Sequence, residues 1–248
     1  MAFEGDLFVP RYRPLASGDW ELRIAGLCHC PGYWSGPAVV EQMAALVRGG
    51  RCWMSITPYE IESQETGVRL ARGHVLIFGL GMGWAAAASA AIDAVTAVTV
   101  VEKDPEVLAL HRELDLFAQL PETARSKLRI VEGDAFAYTP DLPVDLMMPD
   151  IWLPLVDGDR VEEVRRMQEN VGAAATYFWG QEMEIARRAV AAGRALDDAG
   201  IAATISETGL PLVGAELDGY AERLTRAARG WMRGKWLPGP TPPWEEAA

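Results

Sequence analysis

The hydrophobic pattern separates a first stretch of about seventy residues from a longer stretch in which strands and helices alternate. In the first stretch, residues 20–27 and 51–57 have the pattern of short strands. Residues 39–47, after Pro37, show helical spacing and predict a helix between these strands. Pro58 opens a second predicted helix that ends near residue 70, because proline is tolerated in a first helical turn.

The remainder of the chain predicts a sheet covered by helices on both faces. Its predicted strands are residues 75–78, 96–101, 128–131, 144–148 and 201–205. Its predicted helices are residues 84–94, 105–117 and a long region over 161–198. Since these strands lack hairpin signals between them, we predict an α/β fold with a doubly wound, mostly parallel sheet. A small α+β region over residues 1–70 precedes a ligand-binding domain over 71–248, with a long helical insertion at about 156–200.

Composition and charge narrow the classes of function. The chain has 248 residues and a net charge of −12, which disfavours binding to nucleic acid or to anionic membrane surfaces. Half of its residues are hydrophobic, enough to bury a core and to exclude intrinsic disorder. Residues 75–92 carry no charge, but their glycines indicate a strand, a turn and a helix instead of a membrane span. Residues 1–14 carry charges and no apolar run, so we expect no signal peptide.

The cysteines favour a reducing compartment. Cys28, Cys30 and Cys52 are too few for a disulfide framework, so we expect a cytoplasmic protein. With His29 they suggest zinc, but a spacing of one residue does not match the usual ligand spacing, and we predict no metal site.

A glycine turn follows the first strand of the alternating region. Gly79, Gly81 and Gly83 lie between an apolar strand and a helix, where the backbone must turn sharply and a ligand can approach closely. A dinucleotide fingerprint would place a small residue at Trp84, and no Gly-Lys-Ser/Thr sequence follows for a P-loop.

Acidic residues follow the next three strands. Glu102 lies 19 residues after Gly83, where a carboxylate can accept hydrogen bonds from both hydroxyls of a ribose. Asp134 and Asp150 follow the third and fourth strands. Each acid alone is equally well explained as a loop residue or a helix cap, and Asp104 before Pro105 is best read as a cap. Packing alone does not require an acid at the end of three successive strands, so the series indicates a ligand site.

With these motifs in place, residues 75–150 resemble the core of class I S-adenosylmethionine-dependent methyltransferases. The sequence of residues 100–107, Val-Val-Glu-Lys-Asp-Pro-Glu-Val, is most similar to that of the spermidine-synthase-like branch at the same place. The resemblance implies a Rossmann-like methyltransferase fold with S-adenosylmethionine as cofactor. It implies that the three turn glycines border the methionine part, that Glu102 holds the ribose hydroxyls, and that Asp134 and Ala135 hold the adenine. It also implies that Lys103 contacts the cofactor and that Asp150 lies beside the sulfonium and the substrate amine or hydroxyl.

Two departures weaken the closer resemblance. Aminopropyltransferases have an Asp in the glycine turn and a D-x-x-D pattern after the fourth strand, whereas this chain has Met82 and Leu153 at those places. A polyamine needs those carboxylates, so methyl transfer to a small-molecule acceptor is the leading hypothesis. An aminopropyltransferase with an altered acidic set and a non-catalytic nucleotide-binding or assembly protein remain alternatives. Asp150 is the candidate general base, although orienting the cofactor's amino group explains it equally well.

The candidates for substrate contact lie on the second predicted helix, beside the glycine turn and after the fourth strand. Tyr59, Glu62 and Gln64 are candidates for one wall, although a solvated helical face explains each of them as well. Trp84 and Trp152 are candidates for aromatic walls. We read the insertion at about 156–200 as an element that selects substrate or forms a homodimer, and both readings stay open. Within it, the aromatic residues 177–179 indicate either a helix break near Gly180 or a cover over the active site or a partner subunit. We expect His74 to be structural and His111 to be a surface or packing residue.

Overall fold

The computed structural model describes residues 6–246 and begins with an antiparallel sheet. Residues 1–5 of the segment in which no signal peptide is expected lie outside the described part. Strands pair in the order β1-β2-β3-β4. Their bounds are Leu15–Ser17 (β1), Trp20–Cys30 (β2), Ala38–Arg48 (β3) and Arg51–Ser55 (β4). Helix α1, Pro58–Arg69, follows, and its N-cap is Thr57, whose hydroxyl accepts a hydrogen bond from the Glu60 N–H.

The second sheet is parallel throughout its described pairings and has the order β7-β6-β5-β8-β9. Its strands are Gly73–Phe78 (β5), Val95–Glu102 (β6), Leu128–Glu132 (β7), Leu146–Pro149 (β8) and Ala175–Thr176 (β9). Because the chain leaves β5 toward β6 on one side and reaches β8 on the other, a crevice forms at the carboxyl ends of these strands. The predicted doubly wound α/β fold with an N-terminal α+β region is confirmed.

Helices cover both faces of the parallel sheet. Those that follow α1 are Trp84–Ala90 (α2), Pro105–Leu114 (α3), Glu122–Arg125 (α4), Arg160–Val171 (α5), Gln181–Ala191 (α6), Asp198–Thr208 (α7), Tyr220–Trp231 (α8) and Pro243–Glu246 (α9). In the described part of the chain, no helix is long and apolar enough to cross a membrane.

The predicted helix over residues 39–47 is wrong, because this segment is strand β3. It pairs along its length with β2, for example Leu46 with Leu22, and then returns into β4. Gly49 and Gly50 form the intervening turn with φ values of 55° and 75°. Two consecutive positive φ values define the hairpin turn that matches strand twist, so this glycine pair was the overlooked signal.

The long helix predicted over residues 161–198 is also wrong. Helix α5 ends at Gly172 in the left-handed conformation, and the chain then pairs as β9 beside β8 before α6 begins. The strand predicted at residues 201–205 lies inside α7. Asp197 caps that helix by accepting from the Gly200 N–H, and Gly209 ends it with a φ of 67°.

The two sheets share a buried core. Trp20, Leu22 and Leu46 of the antiparallel sheet belong to the same apolar cluster as Val75 of β5 and Leu110 of α3. Contact between β1, β2 and α3 brings the first sheet to the side of the crevice. The antiparallel sheet therefore forms part of the wall above the carboxyl ends of the parallel strands.

Candidate functional site

A cavity of about 660 Å³ opens at the carboxyl ends of the parallel strands, a size typical of small-molecule sites. Eight of the residues predicted for the site from sequence line it. These are Gly79, Gly81, Glu102, Lys103, Asp134, Ala135, Asp150 and Trp152. The antiparallel sheet and α1 complete the wall, so the cavity lies between the two halves of the chain.

The glycine turn after β5 is held on both sides by protein. Gly79 has a φ of 94°, and a Cβ there would collide with the Asp150 carbonyl oxygen. Gly81 has a φ of 48°, and a Cβ would lie 2.6 Å from the sulfur of Met54. Positive φ and close packing therefore explain these glycines, and both still line the cavity.

Gly83 does not line the cavity, and its assignment to the cofactor stays a prediction. A Cβ at Gly83 would lie 2.8 Å from the ring of His111. That ring is buried and contacts the turn, with Nε2 lying 2.9 Å from the Gly81 carbonyl oxygen. Burial lowers the pKa of His111 to about 4, so the neutral ring donates to that oxygen. His111 is a packing residue that supports the turn.

Glu102 joins the glycine turn to the end of β6. One carboxylate oxygen accepts from the Leu80 N–H and the other from the Asp104 N–H, each at 2.8 Å. An ionised carboxylate has about four acceptor positions, so each oxygen retains one for a ligand. Glu102 is thus fixed by the backbone and able to accept from two further hydroxyls.

Asp104 connects the antiparallel sheet to this edge of the cavity. It caps α3 through the Glu106 N–H, as predicted. Its other oxygen accepts from the indole of Trp20 at 2.9 Å and forms an ion pair with Arg48 at 3.2 Å. The wall above Glu102 is therefore held by a contact between the two sheets.

Asp134 lies after β7 and is paired with Lys103. The Lys103 ammonium donates to one oxygen at 2.7 Å, and the Phe136 N–H donates to the other at 3.0 Å. The lysine hydrogen bond, followed by that of the Phe136 N–H, lowers the pKa of Asp134. Together with Ala135, this ionised carboxylate forms the end of the cavity farthest along the sheet from β8.

Asp150 and Glu60 are two carboxylates on the wall nearest β8. Asp150 follows β8, and Glu60 projects from the first turn of α1. Burial raises the pKa of Asp150, although the charge of Arg160 opposes this. Burial also raises the pKa of Glu60, and the charge of Asp150 raises it further. The two groups therefore hold protons at a higher pH than exposed carboxylates do.

Arg160 organises the segment that follows Asp150. Its guanidinium donates to the carbonyls of Pro154, Leu155 and Trp179 at 2.7 to 3.2 Å. It also stacks on Trp152, with its central carbon 4.3 Å from the ring centroid. This buried cation fixes the position of Trp152, which lines the cavity.

Of the five candidates for substrate contact, Trp152 lines the large cavity and Gln64 lines a small adjoining cavity. Trp84 is fully buried and donates to the Phe8 carbonyl, so it packs the core. Glu62 accepts from three consecutive N–H groups in the loop of residues 33–35, and it anchors that loop. The ring of Tyr59 packs edge-to-face against Tyr33 and at a tilt against Trp231. Trp84 therefore packs in the core, and its assignment to the cavity wall is corrected. Glu62 and Tyr59 do not line the large cavity, and their assignments to substrate stay predictions.

Sequence reasoning missed Glu60 and the contribution of the antiparallel sheet. The cavity is also lined by Trp20, Arg48, Trp53, Met54 and Trp179. The signal for Glu60 was helical spacing, since Glu60 and Gln64 are four residues apart and share one face of α1. No sequence signal placed the antiparallel sheet over the crevice, because that packing is a long-range contact.

Comparison with known proteins gives partial structural likenesses. No protein-family model matches the chain, and no curated protein matches it. The chain is similar to the glycopeptide N-methyltransferase MtfA in complex with S-adenosyl-L-homocysteine, at 25% identity and a TM-score of 0.36, over 44% of this chain and 43% of that one. It is similar to the DhpI complex with the same ligand at 22% identity and a TM-score of 0.34, over 47% and 54%.

A third solved structure is a bacterial methyltransferase domain, CtHen1, at 15% identity and a TM-score of 0.33, over 43% of this chain and 59% of that one. The chain thus spans less than two thirds of each of these three proteins. What the cavity does follows from its own residues.

Proposed function

We propose that this protein transfers a methyl group from S-adenosylmethionine to a small-molecule acceptor. One observation carries the proposal: the glycine turn, Glu102, the Asp134 segment and Asp150 line one cavity at the carboxyl edge of the parallel sheet. Four consecutive strands in the order of a doubly wound sheet place these groups together. Packing alone does not require acids at three of these strand ends.

The residues fit the cofactor by their chemistry. Glu102 keeps two acceptor positions for the ribose hydroxyls, because each of its oxygens uses only one position on the backbone. Asp134 is held ionised by Lys103 and accepts from polar N–H groups. The uncharged turn of Gly79 and Gly81 leaves the backbone accessible from the cavity.

Little else is required of the protein in the reaction. S-adenosylmethionine, when bound, supplies a methyl group that is already activated by its sulfonium. The walls of the cavity hold the acceptor in line and exclude water. Asp150 accepts a proton from the acceptor where that acceptor carries one, and its raised pKa suits it to proton transfer near neutral pH. Arg160 and Trp152 position the wall beside Asp150.

Aminopropyl transfer, the activity of the spermidine-synthase-like branch, is a second candidate. The position of Glu60 favours it. Glu60 provides a second acid beside Asp150 and so could replace the acid that is missing at Leu153. The two candidates differ in the donor, which is decarboxylated S-adenosylmethionine for aminopropyl transfer. Stabilisation against heat by each donor separates them, because a ligand that binds only the folded state raises Tm.

Glu102→Gln tests the proposal. Titration calorimetry with S-adenosylhomocysteine should give a Kd at least about tenfold higher in the variant, because a charge-assisted hydrogen bond contributes about 1.5–3 kcal/mol. Glu132→Gln is a matched control, since Glu132 is exposed at the end of β7 outside the cavity. A wild-type protein that binds neither S-adenosylmethionine nor S-adenosylhomocysteine would refute the proposed function. Tight binding without transfer to amines, phenols or acids would favour the non-catalytic alternative.

A further inference from the structure

Two carboxylates, the buried Glu60 and the half-buried Asp150, face the cavity without a cation of their own. Glu60 is 6% exposed, and neither it nor Asp150 forms a salt bridge within 4.0 Å with any described Lys, Arg or His. Arg160 directs its hydrogen bonds to backbone carbonyls instead. Carboxylates are rarely buried unless they are paired, so this wall lacks a positive partner.

Gln64 gives a second indication beside Glu60. It is 3% exposed, and its amide nitrogen donates to Glu60 at 3.2 Å. That bond leaves its carbonyl oxygen as an acceptor for which no donor lies within hydrogen-bond distance among residues 6–246. Gln64 lines a small cavity that shares Met54, Gly79, Asp150 and Trp179 with the large one. Three acceptors from two elements therefore converge on adjoining spaces.

Aromatic side chains surround these acceptors. Trp53, Trp152 and Trp179 line the cavity that contains Glu60 and Asp150. Indole rings attract cations and pack well against flat apolar groups. The wall thus combines negative charge and a neutral hydrogen-bond acceptor with aromatic surface. Within residues 6–246, the cation that acts on Asp150 is Arg160, whose hydrogen bonds go to backbone carbonyls.

We propose that the acceptor of the transferred group is a protonated amine, bound by Glu60, Asp150 and Gln64. The proposal rests on the proposed function and specifies its substrate class. The three N–H groups of a primary ammonium match the three hydrogen-bond acceptors, one on each of these side chains. An alcohol offers one donor, and a carboxylate is repelled by the two acids.

The reaction balances with these residues. The ionised member of the carboxylate pair, assigned to Asp150, takes one proton from the ammonium and leaves a neutral amine with a free electron pair. That pair forms the new N–C bond to the methyl carbon while the C–S bond breaks, and its electrons remain on sulfur. The sulfonium becomes a neutral thioether, and the amine becomes a methylammonium. Glu60 and Gln64 accept from the two N–H groups that remain during the transfer.

The titration of the pair agrees with this assignment. Burial raises the pKa of both acids, and the charge of Asp150 raises the pKa of Glu60 further. Near neutral pH such a pair shares protons and retains a charge that one ammonium can neutralise. Besides these two acids, the charged group acting on Asp150 is Arg160, which favours its ionised form.

The experiment measures binding of three probes of matched shape to the full chain saturated with S-adenosylhomocysteine. Benzylamine, benzyl alcohol and benzoate share one ring and differ in the group presented to the wall. We expect benzylamine to bind at least tenfold more tightly than the other two. Glu60→Gln should weaken benzylamine at least tenfold while changing the S-adenosylhomocysteine Kd less than twofold. Glu65→Gln, on the same helix but outside the cavity, should leave both Kd values unchanged.

The outcomes separate this proposal from the proposed function. If S-adenosylhomocysteine binds but benzyl alcohol or benzoate binds as tightly as benzylamine, the proposal of an amine acceptor is overturned. The same holds if none of the three probes binds. An equal loss of S-adenosylhomocysteine affinity in Glu60→Gln assigns the pair to the cofactor and also overturns it. If Glu60→Gln does not fold, Gln64→Glu replaces it, since added negative charge should tighten benzylamine and not benzyl alcohol. Absence of S-adenosylhomocysteine binding in the wild-type chain refutes the proposed function itself.

Discussion

Glu182→Gln should make the protein more stable at alkaline pH without making it more stable at acidic pH. Glu182, on α6, is fully buried among the hydroxyls of Tyr33, Tyr177 and Tyr220, at 3.1 to 3.3 Å. Tyr177 also lies 2.7 Å from the Ser63 carbonyl, to which it gives its proton. A protonated Glu182 can then donate to the Tyr177 oxygen, as a glutamine amide would. The substitution therefore preserves the hydrogen bonds of the protonated form.

The magnitude follows from the titration of this carboxyl. Burial raises the pKa of Glu182 from 4.5 to about 7, and the tyrosine hydrogen bonds only partly oppose it. Between these values the folded protein retains a proton that the unfolded chain releases, so stability falls as pH rises. At about 1.36 kcal/mol per pH unit, the full cost is about 3 kcal/mol and is reached above pH 7.

Urea denaturation at several pH values between 4.5 and 8 measures the effect. The free energy of unfolding of Glu182→Gln minus that of the wild type should increase by about 3 kcal/mol across this range. Taking the difference cancels the other groups that titrate in both proteins. Glu169→Gln, an exposed helical glutamate on α5, should show a constant difference. If the Glu182 difference is also constant, Glu182 is ionised in the folded protein and the reasoning is wrong.

Two further predictions concern residues that support the cavity. Burial lowers the pKa of His111 from 6.5 to about 4, so the folded protein binds fewer protons and its stability should fall as pH drops through this range. His111→Gln can still donate to the Gly81 carbonyl. Between pH 6.5 and 4.5 its free energy of unfolding, measured by urea denaturation, should fall by about 2 kcal/mol less than that of the wild type. Arg160→Met removes two hydrogen bonds to the segment carrying Trp152 and one to the Trp179 carbonyl. The kcat/KM for methyl transfer should fall at least about tenfold, with S-adenosylhomocysteine affinity changing less. An unchanged acid response or an unchanged kcat/KM would contradict the respective role.

The parallel sheet was readable from sequence because local pattern and long-range pairing agree there. The strand at residues 75–78 is apolar, is followed by glycines, and pairs with strands of the same character on both sides. Residues 39–47 show the opposite case. Their apolar spacing suits a helix, but pairing with β2 and the turn at Gly49 and Gly50 overrides it. Strand β9 is only two residues long, and its identity depends on β8.

The candidate site was partly predictable for the same physical reason. Glu102 ends β6, Asp134 lies two residues after β7, and Asp150 directly follows β8. Parallel strands bring their carboxyl ends to one edge of the sheet. The prediction for Trp84 was wrong because its position beside the glycine turn does not specify which way the side chain points. Its indole points into the core and donates to the Phe8 carbonyl. For Glu60, helical spacing with Gln64 indicated a shared face of α1, but no local pattern specified that this face packs against the cavity. Side chains on the strands' own edge are therefore predictable, and those arriving from other elements are not.

Asp104 has a consequence for how the molecule responds to a ligand. This carboxylate caps α3 and also holds Trp20 and Arg48, which stand in the opposite wall of the cavity. A ligand that touches both walls must therefore restrain the antiparallel sheet as well as the crevice. Local opening of β2 and β3 would require releasing the ligand, so amide exchange in these strands becomes linked to occupancy. Binding in the cavity is in this sense an interaction between the two sheets, mediated by the small molecule.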